Sequence, residues 1–198
     1  MKLKRILLWA TALLLLAVAS IAITSPYGRK PGYPYRLVLY SVDIDAPVDA
    51  VFQYLGNSGN ARRWSVYVHH ITTLNSAQVA DGQPGSVRRC YHQADEQGIR
   101  WDERIDAVAP GRMRRLLMFN LQEFPIQAEG LATEQHYEAL PGGRCRLCFT
   151  VFFREGAHPT ALEQAKTYIA AYRIKSIFRR NMDNIRREVE QRQRVAKS

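Results

Sequence analysis

The chain has 198 residues, with 28 Lys+Arg against 18 Asp+Glu and a formal charge of +10. That length leaves room for one domain of about 150 residues plus short appendages. The positive excess draws such a protein towards phospholipid headgroups or nucleic acid. Three cysteines are too few for a disulfide framework.

The opening residues 1–5, MKLKR, precede 18 uncharged residues, Ile6 to Ile23. At about 1.5 Å per residue these span about 27 Å, enough to cross a hydrocarbon core. A secretory signal cut after Ala17-Val18-Ala19 is the alternative. Apolar residues continue through Ile21, Ala22 and Ile23, which favours an uncleaved transmembrane anchor over residues 6–23. Lys2, Lys4 and Arg5 favour a cytoplasmic N-terminus, a bias that Arg29 and Lys30 weaken. The rest of the chain is then expected outside the cytoplasm: periplasmic in a bacterium, or secreted if the segment is cleaved. That location counts against nucleic acid as a partner.

Residues 24–34, TSPYGRKPGYP, read as a semi-stiff linker. The domain proper spans residues 35–195. Residues 35–45, YRLVLYSVDID, are rich in aromatic and β-branched residues and predict the first strand. Pro47 then opens a helix with Asp49 in its first turn, and Val48, Val51, Phe52 and Leu55 make one apolar face. GNSGN stops it, and Ala61 to Trp64 begin a second short helix. Six more strands follow, at residues 66–74, 85–92, 98–108, 112–120, 128–139 and 144–153, with DGQPG, ADEQ, APG and LPGG among the separators. Such short turns imply an antiparallel meander, because parallel crossovers need about a dozen residues or more. Thr160-Ala161-Leu162-Glu163 is a capping box, and a helical pattern runs from it to about Gln191. Tyr168, Tyr172, Phe178, Met182, Ile185 and Val189 lie near one stripe, which must lie against the sheet.

The order of elements, together with Ala46, Pro47, Val51, Phe52, Leu55 and Trp64 in IDAPVDAVFQYLGNSGNARRW, resembles the START-like (SRPBCC) superfamily, which includes polyketide cyclase/dehydrase and lipid-transport proteins. WDERIDAVAPGRMRRLLMF and HYEALPGGRCRLCF are similar to further family segments. The resemblance implies an α+β helix-grip fold. In it a curved seven-stranded antiparallel sheet wraps a long C-terminal helix and leaves a cavity for a lipid, sterol-like or polyketide-like molecule. It does not imply catalysis, since one fold hosts carriers and enzymes alike.

Alternation assigns the walls. In IRWDERIDAV, Ile99, Trp101, Glu103 and Ile105 face inward, and Arg100, Asp102, Arg104 and Asp106 outward. With Ala109-Pro110-Gly111 as the turn, Trp101 pairs with Phe119 and Glu103 with Leu117, so the next strand turns Met113, Arg115, Leu117 and Phe119 inward. Leu131, Thr133, Gln135 and Tyr137 are the inward set of the sixth strand, and Cys145, Leu147, Phe149, Val151 and Phe153 that of the seventh. For residues 85–92 either Val87, Arg89 and Tyr91 or Cys90 and its neighbours face in. The expected ligand-binding residues are therefore Trp101, Glu103, Arg115, Leu117, Phe119, Thr133 and Phe149, with Tyr168 and Tyr172 from the helix.

Glu103 and Arg115 form the expected charged pair in this wall: a structural ion pair, a polar anchor for a ligand, or, third, a site for Glu103 as general acid or base. Cys145 and Cys148 face opposite sides of one strand, with Cα atoms about 10 Å apart, beyond disulfide reach. His69 and His70, adjacent in a strand, also face opposite sides and cannot chelate one metal. No catalytic residue, metal or cofactor is expected. Nine Lys/Arg from Arg173 onward, against Asp183, Glu188 and Glu190, read as a solvated face or as a contact with anionic headgroups.

The expected function is a membrane-anchored extracytoplasmic binder or carrier of a lipid or other hydrophobic small molecule. A cyclase/aromatase-like enzyme and an interaction module with a collapsed cavity are the alternatives. Extracytoplasmic location weighs against the enzyme, because polyketide-like substrates are made and held in the cytoplasm.

Overall fold

The computed structural model describes residues 2–29, 35–124, 130–154 and 160–197. Helix α1, Lys2–Thr24, is exposed all round from Lys4 to Ile21 and is long and apolar enough to cross a membrane by length and composition. After it, β1 (Gly28–Arg29) pairs with β2 (Tyr35–Ile44), so part of the expected linker joins the sheet. Residues 30–34 of that linker lie outside the described residues. Next come α2 (Val48–Gly56), a 3-10 turn at Ser58–Asn60 and α3 (Ala61–Trp64). The strands β3 (His70–Thr73), β4 (Val87–Tyr91), β5 (Arg100–Ala109), β6 (Met113–Gln122), β7 (Ala132–Leu140) and β8 (Arg144–Arg154) follow, and α4 (Ala161–Lys197) closes the chain.

The sheet order is β1-β2-β8-β7-β6-β5-β4-β3, every pairing antiparallel. Apart from the two-residue β1, these are the seven strands and the antiparallel meander expected. The first long strand lies beside the last, and α2 and α3 carry the chain across to the far edge. Strand β3 is shorter than residues 66–74 because the Ser65 hydroxyl accepts hydrogen bonds from the Tyr67 and Val68 amides, at 3.1 and 2.9 Å, and diverts that backbone from the ladder. The start of the expected strand 128–139, residues 128 and 129, lies outside the described residues.

Helix α4 does two different jobs along its length. Its second half buries Met182, Ile185 and Val189 against Ile44, Leu147 and the α2 residues Val51 and Leu55. Each such side chain contributes about 1.5–3 kcal/mol of burial. Its first half offers Ala170, Ala171 and Ile174 to the sheet instead. The small side chains leave a gap.

The α2 end is pinned by a loop from across the sheet. Asp81 Oδ2 accepts the Ser58 amide at 2.8 Å, and Gly82, at φ +82, brings its backbone close to Gly56. A Cβ at Gly82 would lie 2.6 Å from the Gly56 carbonyl oxygen. Gly82→Ala therefore meets a left-handed backbone cost of about 1–2 kcal/mol on top of a clash with rigid backbone. A loss of about 2 kcal/mol in urea-unfolding free energy is expected, and an unchanged midpoint would show that the loop does not hold α2.

Candidate ligand-binding cavity

Between the concave face of the sheet and the first half of α4 lies a cavity of about 170 Å³. Its walls are mostly apolar: Trp101 from β5, Leu116 and Met118 from β6, Leu131 before β7, Phe149 and Val151 from β8, and Ala170, Ile174 and Phe178 from α4. Leu55, Ala61 and Trp64 close one end, and the turn residues Asn57 and Ser58 of GNSGN also line it. Tyr67, Trp101 and Phe124 form an aromatic cluster, with Trp101 and Phe124 edge-to-face at 5.1 Å between centroids and Tyr67 5.9 Å from Trp101. Two of the lining residues are themselves exposed, Asn57 of the GNSGN turn and Arg173 of α4, so the cavity meets the surface at each of them.

One charged pair sits in this wall. Arg88 Nε and Nη2 both lie 2.9 Å from Glu103 Oε2, and Trp101 Nε1 donates to Glu103 Oε1 at 2.9 Å. Arg88 and Glu103 are 7% and 9% exposed, so neither charge would be tolerated there alone. Burial works against the Arg88 charge, but Glu103 outweighs it and holds the guanidinium pKa above its ordinary value. Beside them, burial and then Glu103 push the Cys90 thiol well up, so Cys90 is a neutral wall group and not a thiolate nucleophile.

A second buried arginine lies deeper. Arg114 Nη1 donates to Gln135 Oε1 at 3.2 Å and to the Tyr137 hydroxyl at 3.3 Å, and its guanidinium stacks over the Phe52 ring at 4.3 Å. Desolvation lowers its pKa from the ordinary value. Gln135 also faces the cavity, so this network meets the wall there.

The expected residues divide clearly. Trp101, Glu103, Thr133 and Phe149 lie on the cavity wall. Arg115, Leu117 and Phe119 do not. A β-bulge leaves Asp106 as an extra residue between the Ile105–Leu116 and Ala107–Arg115 pairs, which shifts the ladder by one and turns Arg114, Leu116 and Met118 inward. Arg115 instead pairs with Glu134 on the outer face at 3.2 Å, and the partner of Glu103 is Arg88. Arg89, whose phase was open, grips Asp102 on the outer face at 2.7 and 3.0 Å.

Tyr168 and Tyr172 are also off the wall. Tracing the helix back from Met182 through Phe178 leads to Ile174 and Ala171, so both tyrosines turn sideways. There the Tyr172 hydroxyl meets Thr24, and Tyr168 meets Tyr27 edge-on at 5.6 Å. Among the residues that alternation misses, Arg88 sits in a strand of two equal phases, Tyr67 falls in the part of the expected strand 66–74 that precedes β3, and Phe124 lies beyond the end of β6.

Cys145 is buried and Cys148 half-buried on opposite sides of β8. His69 and His70, by contrast, do not diverge: their Nδ1 atoms lie 3.1 Å apart, because His69 precedes β3 and strand alternation does not govern it. His70 Nε2 is 3.1 Å from Glu96 Oε1. Among the described residues there is no group of three or more His, Cys, Asp or Glu placed to hold a metal ion.

Residues 37–190 match the family profile described as polyketide cyclase / dehydrase and lipid transport. Among solved structures, the chain is similar to the Zhui aromatase/cyclase of a Streptomyces species, at 20% identity and TM-score 0.61, covering 82% of this chain and 98% of that one. It is also similar to the protein XoxI of Bacillus cereus, at 12% identity and TM-score 0.57, with 77% and 94% of the two chains covered. Ara h 8.0201 gives 15% identity and TM-score 0.56 over 78% and 97%. At these identities the likeness is one of fold. Compared with curated proteins, the sequence has no match.

Proposed function

The chain belongs to the polyketide cyclase/dehydrase and lipid-transport family, and from that premise we propose that it is a membrane-anchored, extracytoplasmic binder or carrier of a hydrophobic small molecule. The observation that carries this reading is the apolar cavity under α4 with a single ion pair, Arg88–Glu103, in its wall. Apolar pockets with a few placed polar groups orient a ligand by those groups. The α1 helix supports the anchor, and its length and position support the lipid bilayer as a standing partner.

The cavity volume sets the ligand class. About 170 Å³ is close to the space one benzene occupies in a dry apolar cavity of about 150 Å³. It is below the range of about 300–1,000 Å³ typical of drug-sized ligands. A compact ring system fits wholly; a longer lipid places one segment inside and the rest through the opening at Arg173. A ligand hydroxyl, carbonyl or carboxylate meets the Arg88 donors that Glu103 leaves free.

Binding is favoured over cyclase/aromatase-like catalysis by the way Glu103 is held. Both of its oxygens already accept hydrogen bonds, from Arg88 and from Trp101, so the side chain is fixed in the wall by its neighbours. The pair is built to hold still.

Native mass spectrometry of the full chain in detergent tests the reading by identifying what the purified protein retains. Trp101→Ala is expected to weaken binding of the retained molecule, or of 1-anilinonaphthalene-8-sulfonate, by about tenfold, about 1.4 kcal/mol. Arg100→Ala, on the outer face, is the control. An equal loss from the control, or the absence of any hydrophobic ligand, overturns the carrier reading in favour of an interaction module.

A further inference from the structure

Resting on the reading of α1 as an anchor, we infer that the first half of α4 lies on an anionic bilayer surface, so that the cavity opens directly onto lipid. The junction between α1 and the domain is short and tied down. The Thr24 and Tyr172 hydroxyls are hydrogen-bonded, the Tyr172 hydroxyl donates to the Ile21 carbonyl at 3.5 Å, and the Ser25 hydroxyl donates to the Tyr168 carbonyl at 3.3 Å. Tyr27 then stacks on Phe153 at 5.2 Å between centroids. A span that ends at these residues puts Tyr168 and Tyr172 at the boundary between hydrocarbon and water, where tyrosine side chains are favoured. The domain has no slack with which to stand off from the membrane.

The outward face of α4 at that level suits a lipid surface. Leu162 and Ile169, seven residues apart and so on one face, are 65% and 58% exposed. From Ala165 to Met182 the helix carries Lys166, Arg173, Lys175, Arg179 and Arg180 and no acidic residue. The acidic residues of the helix lie outside this stretch, Glu163 before it and Asp183, Glu188 and Glu190 after it, so the attraction to anionic headgroups is unopposed from Ala165 to Met182. Exposed apolar side chains set among basic ones are the pattern of a helix that lies in the interface plane.

The cavity is reached from this face. Ala170, Arg173 and Ile174 line it, and Arg173 follows Ile169 by one helical turn. A hydrophobic molecule dissolved in the bilayer can therefore enter beside α4 without crossing water. This is the step that would otherwise limit its transfer.

Spin labels on the full chain in lipid nanodiscs test this. Single cysteines replace Ile169 and Arg187 in a Cys148→Ser background, and accessibility to oxygen and to a water-soluble nickel chelate is read by electron paramagnetic resonance. The two positions are about 27 Å apart along the helix. In phosphatidylcholine discs containing phosphatidylglycerol, the label at 169 is expected to favour oxygen over nickel several-fold relative to the label at 187. Phosphatidylcholine alone, or Lys175→Glu/Arg179→Glu/Arg180→Glu, should move the 169 value towards that of 187. Equal nickel access at 169 and 187 in anionic discs overturns the inference and leaves this face to a protein partner, and so does recovery from membranes of a chain beginning at Ser20. Binding of 1-anilinonaphthalene-8-sulfonate in detergent is measured in parallel. An aqueous 169 with intact dye binding rejects the docking alone, whereas an embedded 169 with no dye binding rejects the carrier reading alone.

Discussion

Arg88→Met is expected to lower the free energy of unfolding by about 3–5 kcal/mol, measured by urea titration of the full chain in detergent. The substitution leaves the Glu103 carboxylate buried with no cationic partner, only the Trp101 indole N–H and the neutral Cys90 thiol beside it. Glu103→Leu should cost a similar amount for the mirror reason, with Arg88 stranded instead. The double variant Arg88→Met/Glu103→Leu should recover most of the loss, since a buried pair exchanged for apolar side chains of similar volume is often neutral or better. The cycle thus predicts a large coupling energy, and additive losses would mean that the two charges do not depend on each other. The double variant also separates stability from function: it should fold, keep an apolar cavity and lose preference for ligands with a polar oxygen.

Where the pattern of one strand was one-sided, the wall was legible. In β5 the run Trp101, Glu103, Ile105 alternates with charged residues, and β7 and β8 have their inward sets fixed by Leu131, Thr133 and Gln135 and by Leu147, Phe149 and Val151. Strand β6 offered no such contrast. In RRLLMF, each face reads as one arginine followed by two large apolar residues, so its phase rested wholly on the turn. The turn pairs Ala109 with Met113, and the bulge at Asp106 then cancels that phase from Ile105 to Asp102, until a second register shift before Arg100. A bulge is a tertiary compromise of sheet curvature and has no reliable local signature.

The helix misled for a different reason. Tyr168 and Tyr172 are the largest residues of its first half, and size drew them into the expected stripe, while the cavity is made by what is small. A gap in packing is bounded by residues such as Ala170 that a search for bulk passes over. Arg88 was hidden similarly: Arg88 and Arg89 are adjacent, both paired, and on opposite faces, one with Glu103 and one with Asp102. Sequence shows two arginines there, and only the ladder to β5 says which is inside.

Ala170→Phe should abolish ligand binding while leaving the fold in place. Ala170 lines the cavity from α4, and the substitution adds a benzene ring to a space of about 170 Å³, which is roughly what one such ring fills. The lost helix propensity is about 0.5 kcal/mol, and burial of the ring in an existing void offsets it, so the unfolding free energy should stay within about 1 kcal/mol of the parent. Binding of the retained ligand or of the dye should fall at least a hundredfold, about 2.7 kcal/mol. A bulky residue at Ile169 instead, one position away on the outward face, should leave detergent-phase binding unchanged. If Ala170→Phe folds normally and still binds with parental affinity, the ligand does not occupy the space under α4. The Arg88–Glu103 pair would then be a structural tie with no ligand to orient.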